Sequence, residues 1–157
     1  MDYLVGIGEY RIADAPSTVT TRGLGSCVGV IIYDCSRRAG GLAHVMLPNS
    51  KDFSTFTNPY KFADLAVPAL HRELCLKGCR YMQAKIAGGA KMFTFSSDRS
   101  GFDIGMRNIE QVRRVLSELG VPLVASDVGG SWGRTVILNT ETGITQVRTV
   151  GRGESEL

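Results

Sequence analysis

The strongest constraint on the fold is an apolar run rich in β-branched residues at positions 28–33, Val-Gly-Val-Ile-Ile-Tyr. A strand with one face in water alternates apolar and polar residues, and this run does not alternate. It therefore predicts a strand that is covered on both faces. A polar segment ending in two glycines follows, and a second apolar segment at 42–47 predicts the return strand of a hairpin.

Two other segments have the periodicity of helices. Asn58 can cap a helix that runs to Gly78, although Pro68 inside it predicts a kink or two helical pieces. Asp103 can cap a second helix, which Gly120 ends. Further short strands are expected at 9–13, 83–87, 91–95, 123–128, 135–138 and 144–150. Hairpins at both ends argue against regular βαβ alternation, so we expect an α/β fold with a mainly antiparallel sheet and helices outside it.

The length of 157 residues, of which 43% are hydrophobic, fits a single domain that covers residues 1–157. We expect the polar segment 151–157 to be a flexible tail. A formal charge of +3 without a basic run argues against nucleic-acid binding. No apolar stretch is long enough to cross a bilayer, and the first residues lack the pattern of a signal peptide. The expected location is the cytoplasm, where the four cysteines would be reduced thiols.

Cys27 ends a glycine-flanked turn directly before the apolar run. A free thiol with a pKa of about 8.5 is mostly protonated near neutral pH, so it needs a base to act as a nucleophile. His44, on the predicted return strand, can be that base. The pair predicts a cysteine hydrolase that acts on an amide. The competing interpretation is a small buried cysteine and a histidine that is satisfied within the fold.

The register of the hairpin decides how near these two side chains come. If the turn is centred on the arginine pair at 37 and 38, His44 lies opposite Ile31. If the centre is two residues earlier, His44 lies opposite Cys27. A bulge at the glycine pair before the return strand can make up the difference, and the sequence does not select among these registers.

Gly23 and Gly25 suit the same chemistry. Glycine permits backbone conformations and close approaches that other residues do not, so the N–H groups of Ser26 and Cys27 can point at a developing oxyanion. The two threonines before this turn offer a hydroxyl or a carbonyl to one imidazole nitrogen of His44, which would fix its tautomer.

Two other candidates have weaker support. His71, Cys75 and Cys79 recur at four-residue spacing, but Gly78 ends the helix before the third and no fourth ligand is apparent. We therefore expect buried helix residues there and no metal site. Phe102, in a polar loop, is expected to pack against the following helix, with a role as partner anchor as the alternative.

Five short motifs follow one another along the chain between about residues 8 and 150. They are Gly-Leu-Gly-Ser-Cys-Val at 23–28, Gly-Leu-Ala-His-Val-Met-Leu-Pro at 41–48, Lys-Ile-Ala-Gly-Gly-Ala-Lys-Met-Phe at 85–93, Ile-Gly-Met-Arg-Asn at 104–108, and Asp-Val-Gly-Gly at 127–130 with Gly-Arg at 133–134. Together they resemble the CheD family of bacterial chemoreceptor glutamine deamidases. Five linked motifs in one small domain are far more specific than a cysteine and a histidine alone.

The resemblance implies an enzyme that deamidates selected glutamines in the cytoplasmic helices of methyl-accepting chemotaxis proteins. In that family pattern Cys27 matches the nucleophile, His44 the base and Thr21 the third catalytic residue, and the chemistry needs no metal or organic cofactor. Hydrolysis of glutamate methyl esters through the same thioester is an expected side activity. The implied fold is a layered α/β/α arrangement similar to the catalytic domains of toxins that deamidate glutamine.

The resemblance also implies a partner, CheC, which is a phosphatase of the chemotaxis response regulator. A second class of function follows from this partner. The domain would then be a non-catalytic binding module that regulates the phosphatase, with a thiol of secondary importance. Partner binding that survives loss of the thiol, with no change in receptor mass, would favour that alternative.

Overall fold

The computed structural model describes residues 1–92 and 103–157. Ten strands and two α-helices lie within these ranges. The strands are β1 (Asp2–Val5), β2 (Tyr10–Asp14), β3 (Thr18–Leu24), β4 (Val28–Asp34), β5 (Ala39–Val45), β6 (Met82–Gly88), β7 (Leu123–Val128), β8 (Arg134–Asn139), β9 (Thr145–Thr149) and β10 (Gly153–Glu156). The helices are α1 (Ala63–Leu76) and α2 (Ile104–Leu119).

The strands form two sheets of five strands each. The outer sheet has the order β1-β3-β8-β9-β10, and the central sheet has the order β2-β5-β4-β6-β7. Strands β1 and β3 pair in parallel, as do β6 and β7, and the other neighbours are antiparallel. The predicted α/β class with mainly antiparallel pairing is confirmed.

The central sheet is buried on both faces. Both helices pack against one face, where Val30 and Ile32 of β4 meet Leu70 of α1 in a helix-side core. The outer sheet covers the other face, where Ile31 and Val136 belong to an intersheet core. Successive side chains of a strand point to opposite faces, so β4 contributes to both cores and needs apolar residues throughout. The prediction of a doubly covered strand at 28–33 is confirmed.

The layers therefore run from helices to central sheet to outer sheet. A second sheet occupies the side on which an α/β/α arrangement would place further helices. The outer sheet depends on β1, β3 and β10, and sequence analysis predicted none of these three strands. In β3 the residues Thr18–Leu24 alternate between buried and more exposed positions, but threonines and a glycine conceal this pattern.

The hairpin of β4 and β5 has a register that neither proposed alternative matches. His44 pairs with Gly29, and the ladder runs without a shift from Val28–Val45 to Asp34–Ala39. The turn is centred between Ser36 and Arg37, and Arg38 has a positive φ of 47°. The glycine pair before the return strand forms no bulge, because both glycines lie inside the regular ladder.

The first helical segment is divided before Pro68. Asn58 caps a short 3₁₀ turn, Pro59–Lys61, by accepting a hydrogen bond from the Tyr60 N–H. Phe62 then takes an extended conformation, and α1 begins after it with Pro68 in its interior. A kink or a division was expected at Pro68, but α1 continues through it, and the division falls at Phe62, which is fully buried. The second helix is as predicted, since Asp103 accepts from the Met106 N–H and Gly120 has the left-handed conformation.

The structure differs from the sequence-based expectations at segment 151–157 and at residues 91–92. The segment 151–157 was expected to be a flexible tail, but β10 in it pairs antiparallel with β9, because its backbone completes the edge of the outer sheet. The strand expected at 91–95 is absent at Lys91 and Met92, and its remaining residues lie outside the described ranges. Within those ranges, no helix is both long and apolar enough to span a membrane.

Asp34, at the end of β4, is a fully buried carboxylate that joins two loops. It accepts from the N–H and hydroxyl of Ser36 and from the N–H groups of Arg80 and Tyr81. Burial alone raises the pKa of Asp34, but these hydrogen bonds outweigh it and lower the pKa to about 2. The charged form is therefore the one that the fold requires.

We expect Asp34→Ala to lower the free energy of unfolding by about 2–4 kcal/mol, because buried N–H groups lose their acceptor. Urea unfolding at pH 7 measures this loss. Asp14→Ala is the matched control, since Asp14 is exposed and pairs only with the Lys77 ammonium at 2.6 Å. An Asp34 variant as stable as the Asp14 variant would contradict the assignment.

Candidate active site

Cys27, His44 and Thr21 lie together at one end of the space between the two sheets. Cys27 precedes β4 and belongs to the intersheet core, with 8% of its surface exposed. His44 on β5 and Thr21 on β3 are fully buried. The central sheet thus supplies the thiol and the imidazole, and the outer sheet supplies the hydroxyl.

Cys27 and His44 are diagonal neighbours on the same face of the central sheet. His44 pairs with Gly29, and Cys27 is two residues before Gly29, so all three point to the same side. Diagonal neighbours in an antiparallel pair have Cα atoms about 7–8 Å apart, which is within reach of long side chains. A side chain at Gly29 would meet Leu24 and the Thr21 methyl group, so glycine leaves this space to the site.

The hydroxyl of Thr21 fixes the tautomer of His44. Its hydrogen goes to the Val5 carbonyl at 2.7 Å, so its oxygen is left to accept from His44 Nδ1, also at 2.7 Å. The proton of the neutral ring is therefore on Nδ1, and Nε2 carries a free lone pair. Nε2 is buried and has no hydrogen-bond partner among the described residues. It is a base with an unused acceptor position.

Burial favours the neutral forms of the Cys27 thiol and the His44 imidazole. It lowers the pKa of His44 to about 4. Burial also raises the pKa of the Cys27 thiol above its ordinary value of 9.0, against a smaller opposite effect of its own N–H. Both shifts favour a neutral thiol and a neutral imidazole over a thiolate–imidazolium pair, so a proton transfer from sulfur to nitrogen would accompany bond formation to an electrophile.

The turn before Cys27 is held through three successive carbonyl groups. The Gly25 carbonyl accepts from Ala90 N–H at 2.8 Å, and the Cys27 carbonyl accepts from Gly89 N–H at 2.8 Å. The Ser26 carbonyl accepts from the Asn108 side-chain amide at 2.9 Å. In the described part of the chain, no acceptor of another residue is bound to the N–H of Ser26 or of Cys27. This leaves two adjacent N–H groups available beside the thiol.

Glycine is required where the segment 88–90 packs against the turn that precedes Cys27. Gly88 has φ of 110°, and a Cβ on it would collide with the Cys27 carbonyl oxygen. Gly105, in the first turn of α2, would place a Cβ only 2.5 Å from the Gly89 carbonyl oxygen. Backbone therefore packs directly on backbone around the cysteine, which no larger residue permits.

The predicted glycine turn is shorter than expected. Gly23 has a positive φ of 71° and lies at a register shift in β3, so it belongs to the strand. Gly25 and Ser26 form the turn itself, as predicted. The side chain of Met92 packs over Gly25, where a Cβ would lie 3.1 Å from the methionine Cγ.

Two supporting residues lie in motifs that carried no assigned role in the sequence. Asn108 donates to the carbonyls of Ser26 and Met46. Arg134, only 2% exposed, donates to the Gly129 carbonyl at 2.9 Å and lies 3.2 Å from the Asp127 carboxylate. Their burial could not be read from a glycine-rich or helical pattern, although their places inside the fourth and fifth motifs were visible.

The remaining candidates do not join this site. Cys79 is buried in the helix-side core, whereas Cys75 is exposed and contacts His71 at 3.7 Å. The expected burial is therefore observed only at Cys79, which lies beyond the end of α1, and not at the two residues on the helix. The part of the chain that is described contains no cluster of three or more metal-ligating side chains. Phe102 lies outside the described residues.

Comparison with known proteins identifies the family. Residues 46–149 match the model of the family described as CheD chemotactic sensory transduction. A Clostridium acetobutylicum protein called "Probable chemoreceptor glutamine deamidase CheD" is 52% identical over 95% of this chain and 91% of its own length. Proteins of the same name from Clostridium novyi and Clostridium tetani are 48% and 47% identical, over 95% and 99% of this chain and 93% and 96% of their own lengths. The chain belongs to the CheD family.

The neutral pair predicts how Cys27 reacts with iodoacetamide. The rate of alkylation should keep rising with pH beyond the point at which an ordinary thiol levels off, because burial raises the pKa of the Cys27 thiol and disfavours the thiolate. Peptide mass spectrometry follows Cys27 separately, with the exposed Cys35 as internal reference. A plateau of fast alkylation from acidic to neutral pH would reveal a preformed ion pair and contradict this description.

Buried neutral His44 also predicts an acid-sensitive fold. Because the unfolded chain protonates His44 near pH 6.5 and the folded chain only near 4, stability should fall as the pH drops between these values, by about 3 kcal/mol. Urea unfolding across this range measures it. His44→Asn should flatten the dependence, and His71→Asn, at the other histidine, should largely preserve it. Equal slopes in both variants would contradict the assignment.

Proposed function

We propose that this protein is a chemoreceptor glutamine deamidase in which Cys27 is the nucleophile, His44 the general base and acid, and Thr21 the residue that orients the imidazole. The supporting observation is the free Nε2 lone pair of His44, buried on the same sheet face as the thiol. Membership of the CheD family supports the substrate class. The proposed domain comprises residues 1–157.

The acylation half of the reaction starts from the neutral pair. Cys27 Sγ attacks the side-chain carboxamide carbon of glutamine while its proton passes to His44 Nε2. The oxyanion that forms is stabilised by the free N–H groups of Ser26 and Cys27. The imidazolium then returns its proton to the nitrogen, the carbon–nitrogen bond breaks, and ammonia leaves. A thioester between Cys27 and the glutamyl side chain remains.

The second half of the reaction uses the same groups. Water attacks the thioester carbon as His44 Nε2 takes a proton from it, and the carbon–sulfur bond breaks. The products are a glutamate side chain and the thiol, which recovers its proton from the imidazolium. A glutamate methyl ester would form the same thioester with methanol as the leaving group, so ester hydrolysis is a proposed side activity. No step requires a metal or an organic cofactor.

The wider assignments rest on family membership. We propose that the substrates are the cytoplasmic helices of methyl-accepting chemotaxis proteins, that the phosphatase CheC is a binding partner, and that the protein acts in the cytoplasm. The Thr21 hydroxyl supports a catalytic rather than a purely regulatory domain. Its two hydrogen bonds organise a base that partner binding alone would not need.

Intact mass of a purified receptor cytoplasmic fragment tests the activity. Each deamidation adds about 1 Da, since an amide becomes an acid. We expect Cys27→Ala to abolish the mass change and His44→Ala to slow it by about 10²–10⁴-fold. Thr21→Val should slow it by about 10-fold to 100-fold, because the hydroxyl orients the ring without reacting.

The chain offers a matched control for two of these variants. Cys79→Ala removes another buried cysteine, and His71→Ala removes the other histidine. Both variants should deamidate the receptor glutamines at nearly the wild-type rate. Full activity in Cys27→Ala would refute the thiol mechanism, and a receptor mass unchanged by the wild-type protein would refute the deamidase assignment.

A further inference from the structure

The side-chain amide of Asn108, on α2, forms hydrogen bonds through its nitrogen but not through its oxygen. It is fully buried, and its Nδ2 donates to the Ser26 carbonyl at 2.9 Å and to the Met46 carbonyl at 3.0 Å. Its Oδ1 is buried without a hydrogen-bond partner in the residues that the structure describes. Burial of an unsatisfied polar atom is unfavourable, and the two donated bonds offset part of that cost.

The first bond determines where the Cys27 N–H points. The Ser26–Cys27 peptide is trans and planar, so its N–H and C=O point in opposite directions. Asn108 holds the C=O toward α2. The N–H is consequently directed away from the helix, and no acceptor of another residue in the described ranges binds it.

The second bond joins the nucleophile turn to the strand of the base. Met46 is two residues beyond His44, and its carbonyl receives the other hydrogen of the same amide nitrogen. One rigid planar group thus contacts the chain immediately before the thiol and immediately after β5. The distance between these two segments is fixed by the geometry of a single side chain.

We propose that Asn108 is a positioning residue that orients the Ser26–Cys27 peptide so that its N–H binds the oxyanion of the tetrahedral intermediate. The proposal extends the proposed function and rests on acyl transfer at Cys27. It requires only a carbonyl electrophile, whatever the natural substrate is. Among the described residues, Asn108 forms no hydrogen bond to the thiol or to the imidazole, so its effect is separable from thiol ionisation.

Two reagents with different transition states distinguish this role. A p-nitrophenyl ester acylates Cys27 through a tetrahedral oxyanion, whereas iodoacetamide alkylates it by displacement at a saturated carbon without one. The ratio of the two rate constants at one pH cancels the fraction of ionised thiol. We expect Asn108→Ala and Asn108→Asp each to lower this ratio by about 10-fold to 100-fold.

Gln111→Ala is the matched control, because it removes a different amide from the same helix. Its ratio should equal that of the wild-type protein. A ratio within about twofold of wild type in both Asn108 variants would overturn the proposal, since equal loss in both reactions indicates a displaced thiol or a damaged fold. Circular dichroism verifies that each variant is folded. Asn108→Asp keeps the shape of the side chain and replaces the donating amide nitrogen with a carboxylate oxygen, which accepts and does not donate.

A measurement on the wild-type protein covers the case in which neither variant folds. An aldehyde that forms a thiohemiacetal at Cys27 should move the amide proton resonance of Cys27 downfield, as its N–H binds the new oxygen. An unmoved resonance would overturn the proposal. If wild-type Cys27 reacts with both reagents but leaves receptor mass unchanged, the deamidase assignment fails while the ratio still decides the role of Asn108.

Discussion

The backbone around Cys27 depends on the capture of three adjacent carbonyl groups by three separate donors. Ala90 N–H, the Asn108 amide and Gly89 N–H each take one, and together they hold a short turn that has no regular secondary structure of its own. Buried carbonyls need partners, and a turn of this kind cannot provide them internally. The glycines at 88 and 105 follow from this requirement, because only backbone without side chains can approach so closely.

Burial determines the protonation states of the thiol and the imidazole in the site. A thiol and an imidazole in water would each be partly charged near neutrality, whereas between the two sheets both pKa values move so as to favour the neutral forms. Thr21 adds direction without adding charge, since it accepts from the ring and donates to Val5. A neutral buried thiol is less prone to alkylation and oxidation than an exposed thiolate.

Much of the fold could be read from local patterns. The doubly buried strand, the caps at Asn58 and Asp103 and the glycine stop at Gly120 depend on neighbouring residues, and these were predicted. Strand β3 was missed, because its threonines and Gly23 are also typical of a loop. The hairpin register was also missed, because it is set by the conformation of Arg38 and by packing on both faces, which no local pattern contains.

Only some residues of the candidate site could be predicted from the sequence. Cys27 and His44 were found from residue type and the expected hairpin, and they do share one face. Thr21 was assigned only through resemblance to a family, since its contact with His44 joins two sheets. Asn108 and Arg134 lay in visible motifs, but their function depends on partners distant in the chain. Sequence patterns locate reactive atoms more readily than the atoms that hold them.

The separation in sequence between Ser26 and Asn108 has a consequence for biosynthesis. The bond between them spans 82 positions, and strand β8 with Arg134 follows later still. Contacts of such high order form late in folding, after the intervening loop has been closed. A chain emerging from the ribosome therefore carries Cys27 long before it carries the groups that hold it, and the arrangement around the thiol is assembled only with the completed tertiary structure.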